Sequence, residues 1–271
     1  MHIAGESGGL GGVNWDGKRL IGVIHLKPLP GAPRYGGSMA DVRAAAVADA
    51  RSYEDGGADG LLIENFGDLP FTGGRVGPET VAGMAAAAEA VRQAGVELPV
   101  GFNVLRNDAR AALGLAAVCG GAFVRVNVHT GTVSTDQGVI EGNAHRTLRR
   151  RKELCPGTAV WADVQVKHGV PVGDLGIAEA ARETFHRGLA DALIVSGVAT
   201  GAATGSDDLQ RVRAACPDAP LLVGSGASAG TAAELLEHAD GLIVASSLKV
   251  DGVLANPVDP ARVRELRERM R

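Results

Sequence analysis

The sequence contains eight short apolar runs, and each is followed by a longer segment of helical periodicity. The runs are continuous rather than alternating, which is typical of strands covered on both faces of a parallel sheet. They occupy residues 20–26, 61–64, 99–104, 122–127, 159–166, 192–196, 221–224 and 241–245. This alternation predicts an α/β protein folded as a single (β/α)₈ TIM barrel. An open doubly wound sheet is the alternative, but no Gly-x-Gly-x-x-Gly motif follows the first run.

Polar residues at the ends of the helical segments support the same alternation. Ser38 and Asp108 are placed to cap helix N-termini, and Asp259 precedes a proline at the start of the last helix. We assign residues 20–271 to the barrel and residues 1–19 to an N-terminal extension packed on it. An aspartate follows an alanine just before three of the predicted strands, and we interpret these aspartates as turn residues on the face opposite any active site. They are Asp59, Asp191 and Asp240.

Composition and charge indicate which kind of molecule the protein binds. The net charge of −4 provides no general field that attracts nucleic acid or an anionic membrane, so a small metabolite is the expected partner. No apolar run approaches the ~18 residues of a membrane span, and the N-terminus does not resemble a signal peptide. Three cysteines without metal-binding spacing fit a reducing compartment. The sequence therefore predicts a cytoplasmic protein with no integral membrane segment, and a homo-oligomer is possible.

The segments that follow the predicted strands are long, whereas those that precede them are short. Residues 65–77 and 128–137 are examples of long strand-to-helix segments, and Gly120-Gly121 is a short helix-to-strand link. Long loops gathered at the C-terminal ends of the strands are what a ligand site on that face of a barrel requires.

The last two predicted strands end in small residues that favour anion binding. Backbone N–H groups approach an anion closely where side chains are small, and this position in a barrel commonly holds phosphate. Tight turns without a ligand are the alternative interpretation. The predicted phosphate-binding residues are Gly224, Ser225, Gly226, Ser246 and Ser247.

Polar side chains occur at or just beyond the ends of the other strands, where each would destabilise a purely structural barrel if buried without a partner. Asp163 is the leading acid/base candidate, with a fixed salt-bridge partner as its alternative role. Arg125 either binds a substrate anion or pairs with Glu64 or Asp163. The predicted catalytic residues are Asp163, His25, Lys167 and Glu64, and the predicted substrate-binding residues are Lys27, Asn65, Asn103, Arg125, Asn127, Gln165 and Ser196.

No cofactor is predicted. His25, Glu64 and Asp163 would form a divalent-metal site if they converged, but no local metal-binding spacing supports one. The loop at residues 196–205 has no side chain larger than valine, and we interpret it as a mobile lid, a second oxyanion-binding turn or a plain connector.

Five segments resemble the BtpA/SgcQ family. They are GVIHLKPLPG (22–31), ENFGD (64–68), GFNVLRND (101–108), ADVQVKH (162–168) and GSG (224–226), and they span almost the whole chain. The resemblance implies a barrel fold. The family takes its name from a photosystem I biogenesis factor and a sugar-operon protein, so it also implies either an assembly role or chemistry on phosphorylated metabolites.

Two functions are therefore expected. The first is an enzyme, either an isomerase, a lyase or a glycosidic-bond hydrolase, acting on a small phosphorylated sugar or nucleotide-derived compound. In that case Asp163 and His25 exchange protons, and Lys167 polarises a carbonyl or forms a Schiff base. The second is a non-catalytic assembly factor that retains a ligand pocket and acts through protein partners.

Overall fold

The computed structural model of the chain describes residues 13, 15–166, 168–197 and 206–271. All eight predicted strands are present, and they close into a parallel barrel in which each strand pairs with its neighbours in chain order and the last pairs with the first. They are β1 (Arg19–His25), β2 (Gly60–Glu64), β3 (Val100–Asn103), β4 (Phe123–Val126), β5 (Ala159–Asp163), β6 (Ala192–Val195), β7 (Leu221–Val223) and β8 (Gly241–Val244).

A helix follows each strand, which confirms the (β/α)₈ TIM barrel. The helices are α1 (Met39–Asp55), α2 (Pro78–Gln93), α3 (Ala109–Cys119), α4 (Ala144–Leu154), α5 (Ile177–Arg182), α6 (Ser206–Ala215), α7 (Ala232–Leu236) and α8 (Pro260–Arg269). A π-helical turn, Glu183–Arg187, continues α5. The predicted caps form, because the side chains of Ser38, Asp108 and Asp259 accept hydrogen bonds from the amides of Asp41, Ala111 and Ala261.

Alternation along the strands divides the core into two layers. One layer fills the barrel and includes Ile21, Leu62 and Ile243, with the rings of Phe123 and Trp161 stacked at 3.6 Å between centroids. The other layer lies between the sheet and the helices. Gly101 of β3 faces the stacked rings, and a Cβ atom there would lie 2.2 Å from the Phe123 ring. A glycine on β3 thus makes room for an aromatic ring on β4.

The three aspartates that precede strands join neighbouring strands at the N-terminal end of the barrel. Asp59, Asp191 and Asp240 accept hydrogen bonds from the amides of Leu20, Val160 and Leu221 at 2.8, 2.7 and 2.9 Å. Each also pairs with arginine, and the partners include Arg19, Arg151 and Arg213. These contacts are structural and lie at the end of the barrel away from the candidate site.

Part of the loop predicted at residues 128–137 belongs instead to a small antiparallel sheet. We call it the mouth sheet, and its strands are Thr132–Thr135, Gly138–Glu141 and Gly169–Pro171. Val133 and Ile140 of the sheet are buried with Val128 and Val166 in a separate apolar cluster. Val166 belongs to this cluster rather than to the barrel, so β5 ends at Asp163 and not at residue 166 as predicted.

Part of the N-terminal segment contacts the barrel core. Val13 is buried, and the ring of Trp15 meets that of Trp161 edge-on at 5.7 Å. Residues 1–12 and 14 lie outside the described residues, so the extension over residues 1–19 stays a prediction. None of the helices in the described part of the chain combines the length and the apolar character that crossing a membrane requires.

Candidate functional site

Strand parity brings the polar strand ends together inside the C-terminal mouth of the barrel. His25 ends β1, Glu64 ends β2 and Asn103 ends β3, and these three residues lie opposite one another in the strand register. Arg125 on β4 and Asp163 at the end of β5 occupy the same interior layer, above the apolar residues that fill the barrel. One polar layer is thus formed by five consecutive strands.

Asp163 is the most highly coordinated side chain of this layer. It accepts hydrogen bonds from Arg125 Nε and Nη2 at 2.9 and 2.8 Å, from Asn127 Nδ2 at 3.0 Å and from Ser196 Oγ at 3.0 Å. The Asp163 side chain is fully buried. Of the two roles that the sequence left open, this geometry favours a carboxylate fixed in a salt-bridge network, because both of its oxygens accept hydrogen bonds from protein side chains.

Arg125 links Asp163 to Glu64. Its Nη1 lies 3.5 Å from Glu64 Oε1, and its side chain is only 3% exposed. Burial acts to lower the pKa of Arg125, but Asp163 and Glu64 outweigh burial and raise the pKa above its ordinary value. The guanidinium is therefore a permanent positive charge, and the carboxylates of Asp163 and Glu64 are its partners.

Glu64 and His25 form a second contact within the polar layer. His25 Nε2 lies 3.4 Å from Glu64 Oε2, while Asn103 Nδ2 donates a hydrogen bond of 2.9 Å to Glu64 Oε1. The His25 ring stacks on Phe66 with 4.2 Å between centroids. His25 Nδ1 is buried and has no hydrogen-bond partner among the described residues. Glu64 and His25 are thus an oriented carboxylate–imidazole pair, with one imidazole nitrogen not engaged by the described residues.

The two predicted anion-binding turns line one cavity of about 440 Å³, which we call the turn cavity. His25, Glu64 and Arg125 also line it. Four amides of the turns make no hydrogen bond to another described residue. They belong to Gly226, Ala227, Ser246 and Ser247.

Some predicted groups of the turns are used internally. The amide of Gly224 donates to the Val195 carbonyl at 2.8 Å, and Ser247 Oγ donates to the Ala227 carbonyl at 2.7 Å. A Cβ atom on Gly224 would lie 2.7 Å from Ser196 Oγ and 3.0 Å from Arg125 Nη2. Gly224 therefore provides space beside the Arg125 network, while the four amides belong to other residues that line the cavity.

A second cavity of about 410 Å³, the distal cavity, shares Glu64 and Arg125 with the turn cavity as lining residues. Its apolar wall is formed by Phe66, Leu69, Phe71 and Leu105, and its polar wall includes Asn103, Arg106, Asn127, Asp136, Gln137 and His168.

Arg106 is a candidate site residue that the sequence did not indicate. It is 4% exposed and follows β3 by three residues, so it lies beyond the end of the strand. Burial lowers its pKa, an effect that Asp163 and Asp136 oppose. In the sequence, Arg106 is marked only by its place in the family segment at residues 101–108. That segment does not indicate where the side chain points.

Several predicted binding residues lie apart from both cavities. Asn65 accepts a hydrogen bond from the Leu105 amide at 2.8 Å and donates to Asp68, so it holds the loop after β3 in place. Gln165 donates to the Leu175 carbonyl at 3.3 Å. Lys27 is exposed and lines a different cavity together with Arg34. Lys167 and the loop residues 198–205 lie outside the described residues.

The three residues considered for a metal do not assemble a site. Arg125 contacts both Glu64 and Asp163, and Asp163 uses its oxygens within the network. Across residues 13, 15–166, 168–197 and 206–271, no group of three or more histidine, cysteine or acidic side chains is arranged to hold a metal ion.

The fold and the site define a (β/α)₈ barrel with a polar cavity at the C-terminal ends of its strands. The family model of the BtpA family matches residues 16–271, and the chain belongs to this family. The photosystem I biogenesis protein BtpA of Synechocystis sp. is 45% identical over 251 residues, which cover 93% of this chain and 87% of that protein. The putative sgc region protein SgcQ of Escherichia coli is 33% identical over 256 residues, 93% of this chain and 94% of its own.

A solved structure supports the fold independently. Tryptophan synthase from M. tuberculosis superimposes with a TM-score of 0.59 at 22% identity, covering 94% of this chain and 94% of that chain. At this identity the likeness concerns the barrel alone.

Proposed function

We propose that this protein is an enzyme that acts on a small phosphorylated sugar or nucleotide-derived metabolite by acid/base chemistry, with the phosphate bound at the turns after β7 and β8. The observation that carries the proposal is the turn cavity. There, four backbone amides that donate to no other described residue belong to residues lining the same cavity as the Glu64–His25 pair.

The amides supply the phosphate end of the site. Gly226, Ala227, Ser246 and Ser247 are small residues on two adjacent turns, so an anion can approach their N–H groups closely. The Ser247–Ala227 hydrogen bond ties the two turns together, which preorganises the donors. A phosphate bound there places the rest of a small substrate toward the polar layer of the barrel.

The polar layer supplies the proton transfer. Asn103 and Arg125 fix Glu64 Oε1, and Oε2 remains beside His25. Either Glu64 or His25 can accept or return a proton from a substrate held at the turns, and the charge of Arg125 stabilises negative charge that develops nearby. Isomerase, lyase and glycosidic-bond hydrolase reactions all use such a step. Asp163 acts in this scheme by positioning Arg125.

A thermal-shift screen with phosphorylated sugars and nucleotides tests the phosphate site. Ser246→Asp puts a negative charge among the amides, and Ser246→Asn is the neutral control of similar size. Ligand binding stabilises the folded protein by mass action and so raises Tm. The gain in the free energy of unfolding is about 2.7 kcal/mol when the free ligand concentration is 100 times Kd. We expect Tm shifts in the wild type and in Ser246→Asn that are lost in Ser246→Asp. Equal shifts in all three proteins would remove the phosphate site.

A non-catalytic assembly role is the second candidate, favoured by the name of the 45% identical relative, a photosystem I biogenesis protein. The outer face of the mouth sheet carries Val139 and Val170, which lie on either side of Ser134 and are 66% and 69% exposed. In a host strain lacking the gene, the enzyme proposal expects Glu64→Gln to fail in complementation and a Val139→Ser/Val170→Ser variant to succeed. The reverse pattern would support the assembly role.

A further inference from the structure

We infer that the distal cavity binds a planar nitrogen heterocycle that donates N–H groups, so that the substrate is a phosphorylated sugar carrying a base-like ring. The inference rests on the proposed function for its phosphate end. The distal end is argued from the distal cavity itself.

The apolar wall of the distal cavity suits a flat ring. The chain has only five phenylalanines; three are buried in the protein interior, but Phe66 and Phe71 line this cavity. Their rings meet edge to face at 6.2 Å and 61°, and His25 covers one face of Phe66. Leu69 and Leu105 extend the apolar surface. Aromatic and leucine surfaces placed in this way favour the face of a planar unsaturated ligand over a hydrated sugar.

Two acceptors of the polar wall accept no hydrogen bond from the described residues. Asn127 Nδ2 is held by Asp163, but Asn127 Oδ1 is buried and accepts no hydrogen bond from the described residues, in a residue only 4% exposed. Gln137 has the same arrangement, since its Nε2 donates to Asp136 while its buried Oε1 has no partner within the described chain. A buried acceptor that receives no hydrogen bond destabilises the protein. Both oxygens would therefore be satisfied by N–H groups of a ligand.

The two cavities are arranged for one ligand that extends across both. Glu64 and Arg125 line the turn cavity and the distal cavity alike. A phosphate at the turns and a ring between Phe71 and Asn127 therefore place the intervening sugar beside Glu64 and His25. An N-glycosidic sugar phosphate, of which nucleoside 5′-monophosphates are accessible examples, has its groups in this order.

Binding of four probes by calorimetry tests the inference: ribose 5-phosphate, adenosine 5′-monophosphate, cytidine 5′-monophosphate and adenosine. We expect a mononucleotide to bind at least about tenfold more tightly than ribose 5-phosphate, since stacking of one base commonly contributes this much. Phe71→Ala and Gln137→Met, both at half-buried positions, should remove that advantage and leave the affinity for ribose 5-phosphate unchanged.

The outcomes separate the two proposals. If ribose 5-phosphate binds and neither mononucleotide binds more tightly, the inference about the distal cavity is overturned and the phosphate site stands. If adenosine binds with the same affinity as its monophosphate, and Phe71→Ala weakens it, the distal cavity is supported and the phosphate site fails. Absence of binding by all four probes overturns both.

Discussion

Arg125 and Asp163 meet in the interior of the barrel through two parallel hydrogen bonds, from Nε to Oδ2 at 2.9 Å and from Nη2 to Oδ1 at 2.8 Å. The pair joins β4 to β5, its Arg125 member lines both cavities, and its side chains are 3% and 0% exposed. A bidentate pair at this depth has a fixed orientation. It therefore sets the position of the guanidinium relative to Glu64, which lies 3.5 Å away on the other side.

Replacing Asp163 with asparagine should destabilise the protein strongly. The variant keeps the size of the side chain but removes the carboxylate charge that pairs with buried Arg125 and leaves Glu64, 3.5 Å away, as the carboxylate beside it. We expect the free energy of unfolding to fall by about 3–5 kcal/mol. Urea denaturation measures the loss. The double variant Arg125→Met/Asp163→Leu should lose less free energy of unfolding than the losses of Arg125→Met and Asp163→Leu added together. Additive losses would contradict a coupled pair.

Replacing Glu64 with glutamine should separate chemistry from binding. The variant retains an oxygen for Asn103 but cannot carry a proton as a carboxylic acid does, so turnover of a phosphorylated substrate should fall by about 100- to 10,000-fold. The Tm shift produced by the same ligand should persist. Gln165→Ala is the control, because Gln165 lines neither cavity, and it should keep turnover near the wild-type rate. Loss of turnover in the control alone would reject this assignment.

The barrel could be predicted because its strands depend on a local signal, the short continuous apolar run. Residues two apart in a strand face the same side of the sheet, which predicts that Arg125 and Asn127 lie together, and both do contact Asp163. The same reasoning failed for Gln165, because β5 ends at Asp163 and the chain then turns away toward the mouth sheet. Where a strand ends is decided by packing between distant segments, which parity does not include.

The distal cavity could not be predicted for the same reason. Phe66, Phe71 and Arg106 follow their strands by two or more residues, and Gln137 lies in the turn of the mouth sheet. Their positions depend on the paths of three separate loops. The sequence shows that these residues are present, but they follow no helical or strand periodicity from which the directions of their side chains could be predicted.

Two glycines test the packing of the barrel in opposite directions. Gly101→Ala would bring a Cβ to 2.2 Å from the Phe123 ring, and we expect a loss of about 1–3 kcal/mol from overpacking. Gly114 lies within α3, where an added Cβ meets nothing within 4 Å. Gly114→Ala should therefore stabilise the protein by about 0.5–1 kcal/mol. Thermal denaturation of both variants checks the signs, and a stabilising Gly101→Ala would contradict the described core.

A buried histidine should make stability depend on pH. His129 is 1% exposed, and its Nε2 lies 2.8 Å from the Gly188 carbonyl. Burial lowers the pKa of His129 below its ordinary value of 6.5, and the charge of Arg151 acts in the same direction, against the opposing effects of Gly188 and Asp191. The folded protein therefore holds a neutral imidazole at a pH where the unfolded chain already binds a proton.

The sign of the effect follows from this difference in bound protons. Below about pH 6.5 the unfolded state binds more protons at this position, so the free energy of unfolding should fall with falling pH, by up to about 1.4 kcal/mol per pH unit, until the folded state also becomes protonated. His129→Gln should flatten that dependence in urea titrations between about pH 5 and pH 7.5. His145 is exposed, so His145→Gln serves as the control and should leave the slope unchanged. A wild-type slope in His129→Gln would show that His129 does not contribute the pH dependence.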